Sequence, residues 1–223
     1  MPGPIAVPTN ARSRRTRAAL LDAARALLEE KGPAALTMAA TAERAEVSRR
    51  SVYLHFATRA DLLVALFDHV SEVEGLGDSI RPVLSEPDPV AALDEFAAHL
   101  GRIRPRVRAV ATAIQRQRRS DPDFSAHWEV VFRGQRQICR HLINGLHRDG
   151  LLADAWTVAS ATDMLWALMS GDFADSLTID CGWSFGKYTE RMATLMRTVF
   201  VAQSSATSRA PAGGRPRTPR RTS

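Results

Sequence analysis

Apolar side chains recur every three or four residues along most of this chain and never settle into the sustained period-two alternation of strands. A first helix is predicted from Arg14 to Lys31, with Leu20, Ala23, Ala24, Leu27 and Leu28 on one face and Gly32-Pro33 ending it. Thr37 to Phe56 reads as two short helices joined by a tight turn. Thr37 and Ser48 each stand where a side-chain oxygen can take the free N–H groups of a new helix. Thr58 and Asp61 make a capping box for a fourth helix carrying Leu62, Leu63, Leu66, Phe67 and Val70, and Gly75 with Gly77 breaks it.

Asp88-Pro89 then opens a helix with Val90, Leu93, Phe96, Ala97 and Leu100 on one side, which Pro105 is expected to stop. A shorter helix carries Val107, Val110, Ala111 and Ile114. After Ser120-Asp121-Pro122 a long stripe runs from Phe124 through Val131 and Ile138 to Leu146, closed by Gly150. Val158, Ala161, Leu165, Trp166, Met169 and Phe173 form the next stripe, and Ser184 starts a last helix with Tyr188, Met192, Leu195, Met196 and Val199. The expected class is all-α, with about nine helices. Residues 1–11, with Pro2, Pro4 and Pro8, and residues 204–223, rich in Ser, Thr, Pro, Gly and Arg, are expected to be a disordered arm and a disordered basic tail.

Composition agrees with helices: 45% of the 223 residues are hydrophobic but only 6% aromatic, and the length suits a small domain joined to a larger one. Charge adds a direction. Arg12, Arg14, Arg15 and Arg17 precede every acidic residue, and Arg209, Arg215, Arg217, Arg220 and Arg221 follow every one, so the net +6 resides at the ends. Between Glu46 and Asp61 there is no acid at all, while Arg49, Arg50, Tyr53, His55 and Arg59 supply donors. A basic arm leading into an acid-free short helix is the layout of a chain that meets nucleic acid at one end, with phosphates held from the flanks and base edges read from the helix.

The residues Thr41-Ala42-Glu43-Arg44-Ala45-Glu46-Val47-Ser48, Ser51-Val52-Tyr53-Leu54-His55-Phe56 and Thr58-Arg59-Ala60-Asp61-Leu62 resemble the N-terminal DNA-binding domain of TetR/AcrR-type transcriptional regulators. The resemblance spans residues 14 to 70. It implies a three-helix helix-turn-helix domain over 12–57, followed over 58–203 by a larger helical domain for effector binding and dimerisation. The chain departs from the family's pattern at three places: Thr41 stands where an aliphatic residue is usual, and Glu46 and Arg50 stand where glycines are usual. A left-handed Glu46 would cost about 1 kcal/mol, and Arg50 adds a long cation to the reading helix.

The expected double-stranded DNA contacts are Thr37, Ser48, Tyr53 and Arg59 on phosphates and Arg49, Arg50 and Ser51 nearest the base edges; His55 either touches a phosphate or seals the helix end. Asp154 to Phe200, with Leu165-Trp166-Ala167-Leu168 and Gly182-Trp183, is similar to the C-terminal half of one TetR/AcrR group. The resemblance implies a homodimer through the last helices, with Leu165, Trp166, Leu195 and Val199 either at that interface or in ordinary core. It also implies a largely apolar small-molecule effector, for which Phe96, His99, Trp128, Phe132, Trp166, Met169 and Phe173 are candidate walls. Arg102, Arg104, Arg106 and Arg108 either favour an anionic effector or coat a solvated helix junction.

No enzyme chemistry is expected. Cys139 and His141 stand two apart and so face different directions on a helix, the remaining histidines show no metal-ligand spacing, and there is no glycine-rich phosphate loop. No cofactor and no metal are therefore expected. Two dispersed cysteines, no signal pattern and no long apolar run suggest a reducing, cytoplasmic setting without a membrane partner. The alternative reading is a helical scaffold or small-molecule-binding protein that has lost specific DNA binding, with Thr41 and Glu46 as its marks.

Overall fold

A computed structural model describes residues 10–117 and 122–203, with the side chains of 116–117 and 122–132 outside that description. The described residues form ten α-helices, one 3-10 turn and one π turn; an isolated antiparallel bridge joins Leu152 to Val201. The expected arm at 1–9 and tail at 204–223 lie outside the described residues.

The first helix, α1 (Ala11–Lys31), begins three residues earlier than the apolar pattern indicates, because the Asn10 side chain accepts from the Ser13 N–H and caps it. Gly32, at φ 78°, ends it, and a 3-10 turn (Pro33–Ala35) leads to α2 (Met38–Arg44) and α3 (Arg49–His55), capped by Thr37 and Ser48 as expected. In α4 (Arg59–Val73) Thr58 and Asp61 form the reciprocal capping box. Leu20, Leu27, Leu36, Val52, Phe56, Leu63 and Leu66 close one core between these helices.

Three elements differ from the sequence expectation. Gly75 does break α4, but α5 (Leu76–Ser85) starts at once and carries Gly77 and Pro82 inside it, burying Val83. Pro105 does not stop a helix: α6 runs unbroken from Pro89 to Gln117. Its ring is solvent-facing, and Leu100, Ile103, Val110 and Ile114 are buried on either side. Each such burial is worth ~1.5–3 kcal/mol, which together outweigh the ~3 kcal/mol that an internal proline costs. The stripe from Val158 to Phe173 is divided into α8 (Val158–Leu168) and α9 (Gly171–Asp175), because the Ser170 hydroxyl accepts from the Phe173 N–H and caps a new helix; a π turn (Ser176–Asp180) follows.

Helices α7 (Pro122–Arg148) and α10 (Phe185–Phe200) complete a second core around Leu93, Phe96, Leu142, Leu146, Tyr188, Met192 and Phe200. Helix α6 joins the two cores, giving Val110, Ala113 and Ile114 to the first and Leu93, Phe96 and Leu100 to the second. The end of α4 is tied to both sides of this junction: Glu74 takes Arg25 Nη2 of α1 at 2.7 Å and lies 3.9 Å from Arg106 Nε of α6.

Candidate nucleic-acid interface and ligand cavity

Helix α3 has one inward and one outward face. Val52 is fully buried and His55 is 8% exposed, so the helical period turns Arg49, Arg50, Tyr53 and Leu54 to solvent. Ser48 and Thr37 are exposed at the two N-caps, accepting from the Ser51 and Ala40 N–H groups at 3.2 and 3.0 Å, and Ser51 is half-buried. Leu54 is 69% exposed beside Tyr53 at 56%. The sequence expectation gave Leu54 no role. With Val52 and His55 both facing inward, residues 53 and 54 must face outward, and an apolar tip there can meet a thymine methyl.

Two of the eight expected DNA contacts are engaged inside the domain. Burial, reinforced by the neighbouring Arg17 cation, lowers the His55 pKa below its ordinary value, and the ring is buried at the helix end. The Arg17 guanidinium stands 4.6 Å over the Phe56 ring and donates to the His55 carbonyl at 3.3 Å, bracing α1 against the end of α3. Arg59 is half-buried and donates through Nη2 to the Pro33 carbonyl at 2.8 Å, so its guanidinium ties α4 to the turn before α2.

The two departures within and before the turn have local explanations. Glu46 takes φ 53°, in the left-handed region where the family's usual glycine is unstrained. Its N–H bonds the Glu43 carbonyl and the Val47 N–H bonds the Ala42 carbonyl, which is the Schellman ending of α2 with a glutamate at the position that favours glycine. Thr41 is fully buried, and its hydroxyl donates to the Thr37 carbonyl at 2.8 Å, so the polar atom that replaces an aliphatic one is satisfied.

A cavity of about 350 Å³ lies where α4 to α9 converge. Phe96, His99, Trp166 and Met169 line it as expected, and Phe67, Ile80, Ile103 and Ile138 add apolar wall. Phe173 is not a wall; it packs against the second core, because the new helix start at Ser170 re-aims it. The side chains of Trp128 and Phe132 lie outside the described residues. Burial lowers the His99 pKa to about 4; Nδ1 lies 3.0 Å from the Ser79 hydroxyl and the ring stacks on Phe96. His99 is thus a neutral wall element at ordinary pH.

Of the expected dimer residues, Leu165 is fully buried within its own chain and cannot touch a partner; Trp166 faces the cavity, and Leu195 and Val199 are half-buried against the second core. Position on a helix could not separate these outcomes, since periodicity does not say which face meets the core, the cavity or a partner. The outward apolar residue of α8 is Met164, 42% exposed. Cys139 is buried, its thiol pushed up to about 12 by burial, with Sγ 3.2 Å from Met169 Sδ, while His141 is exposed. Among the described residues no three of His, Cys, Asp and Glu are grouped to hold a metal, and no helix is long and apolar enough to cross a membrane.

Residues 20–66 match the family described as bacterial regulatory proteins, tetR family. An HTH-type transcriptional repressor of Mycobacterium tuberculosis is 33% identical over 86 residues, which are 39% of this chain and 43% of that protein, so the chain matches less than half the length of this curated relative. Among solved structures the fold aligns with a putative transcriptional regulator of Saccharomonospora viridis in complex with choline, at TM-score 0.71 and 15% identity over 85% of this chain and 99% of that one. It also aligns with the FadR regulator of Bacillus subtilis in complex with stearoyl-CoA, at TM-score 0.68 and 15% identity over 82% and 98%. The helix-turn-helix segment, residues 20–66, thus matches the tetR family of bacterial regulatory proteins, and the fold aligns with these solved structures over more than four fifths of the chain.

Proposed function

We propose that this protein is a sequence-specific DNA-binding transcriptional regulator, acting as a repressor that binds a palindromic operator as a homodimer and leaves it when a small molecule enters the cavity. The observation that carries the reading is the outward face of α3, where Arg49, Arg50, Tyr53 and Leu54 are exposed together on a helix with no acidic residue. Phosphate contacts come from Thr37, Ser48 and Tyr53, and base contacts from Arg49 and Arg50 with Leu54 beside them. A unit with so few base contacts gains specificity by presenting two copies to two half-sites. The outer faces of α8 and α10 are the proposed dimer surface, with Met164 at its apolar part.

The cavity supports the effector half of the reading. Its walls include Phe67 of α4, the helix that packs on the DNA-binding core, so a ligand there presses on the element that sets the position of α3. Other proteins of this fold hold choline and stearoyl-CoA. The first experiment is selection of bound duplexes from a random pool at near-physiological salt, followed by fluorescence anisotropy on the enriched sequence. The expected product is a palindrome. Arg50→Ala should reduce discrimination at one base position by ~1–3 kcal/mol, whereas Tyr53→Ala should weaken all sequences alike. No enriched sequence, or no loss from either substitution, would favour a helical small-molecule-binding protein without specific DNA recognition.

A further inference from the structure

Arg102, Arg104, Arg106 and Arg108 stand on one stretch of α6, yet their environments divide them. Arg102 pairs with Glu95 at 2.7 Å, Arg106 with Glu74 at 3.9 Å and Arg108 with Asp175 at 3.2 Å, all at the surface. Arg104 is half-buried, lines the cavity, and among the described residues has no carboxylate within ion-pair distance. Its Nη2 donates to the Met169 carbonyl, and its Nε is buried with no hydrogen-bond partner. Beside it the Tyr188 hydroxyl is also buried, without a hydrogen bond of full geometry; burial raises that phenol's pKa, and the nearby Arg104 cation and its side-chain donor oppose the rise.

A cation withdrawn from water without a counter-charge is a liability unless something supplies one. The rest of the wall is chiefly apolar, and its own carboxylate, Asp172, is exposed and takes a hydrogen bond from Gln115 at 2.8 Å. We infer that the cavity takes an amphipathic monoanion, an apolar body carrying a carboxylate or similar acidic head, with Arg104 as the anchor of that head. The apolar body lies against Phe67, Ile103, Ile138 and Trp166, and the head completes the polar cluster around Arg104. Charge-assisted bonds from guanidinium to carboxylate supply the selectivity for an acid over an alcohol of the same length. The inference rests on the cavity being the effector site and names the chemistry that site selects.

The test is calorimetric titration of the full chain with octanoate, octanol and octylamine. The expected result is octanoate binding at least ten-fold more tightly than either of the others. In Arg104→Gln that preference should fall to within about three-fold while octanol binding stays as in the native chain, and Arg104→Lys should keep part of the preference. Thermal unfolding of each variant separates lost binding from lost fold. Octanol binding as tightly as octanoate, octylamine binding most tightly, or Arg104→Gln keeping the full acid preference would each overturn the anion assignment while leaving the cavity as a ligand site. No binding of any of the three would remove the cavity reading itself, and the inference with it.

Discussion

Glu46 holds a backbone conformation in which glycine is unstrained and other residues are not, at the C-terminal cap of α2. Glu46→Gly should therefore stabilise the chain by about 1 kcal/mol, a rise of about 2–4 °C in the thermal midpoint of a chain this long; an unchanged or lowered midpoint would show that the glutamate carries a compensating contact. His99 gives a pH dependence of known sign. Its folded pKa is about 4 against an ordinary 6.5, so the unfolded chain takes up the proton first as pH falls. The stability it contributes is intact above pH 6.5 and is lost progressively between 6.5 and 4. The loss should be about 2 kcal/mol after allowance for solvent in the cavity. Urea unfolding of the native chain and His99→Gln across that range should diverge by that amount; parallel curves would place the neutral histidine elsewhere. The left-handed glutamate was legible only through the family resemblance, in which a glycine usually stands at position 46. The depressed histidine was not, because its cause is the burial contributed by α5 and α6 together.

Helix α6 meets α10 where Gly101 faces Thr189. A β-carbon at 101 would collide with the Thr189 hydroxyl, which is itself held by a 2.9 Å bond to the Phe185 carbonyl. Gly101→Ala should thus destabilise the protein by ~1–3 kcal/mol even though alanine is the better helix former, and adding Thr189→Ala should restore or exceed native stability. Urea unfolding checks both, and a stabilised single variant would mean that the helices are free to part. The elements themselves divide by how their ends are written. Helices α2, α3, α4 and α10 were readable because Thr37, Ser48, Thr58 and Ser184 mark their starts in side-chain chemistry that needs no distant partner. Helix α5 was hidden by Gly77 and Pro82, and the continuity of α6 by Pro105. Local propensity argued against both, and burial of Val83, Ile103 and Val110 overrode it.

On the scale of the molecule, the two cores share α6, and the Arg25–Glu74–Arg106 cluster spans the junction between α1, α4 and α6. They should therefore unfold as one unit. Leu63→Ala, deep in the first core, should cost ~2–5 kcal/mol. It should lower the midpoint equally by far-UV circular dichroism and by tryptophan fluorescence, although all four tryptophans follow residue 127. Separated midpoints would show two independent units. The sequence by itself determined the all-α class, the capped helix pair around the turn, the acid-free third helix and its family resemblance, because each depends on residues within a few positions of one another. Only the tertiary structure decided that His55 and Arg59 brace the domain, that Leu54 faces outward and that Leu165 lies in the core. The same is true of Arg104, which alone among the four arginines of that stretch lines the cavity without a carboxylate partner among the described residues. Those outcomes depend on which helices pack on which face, and residues far apart in the chain determine that.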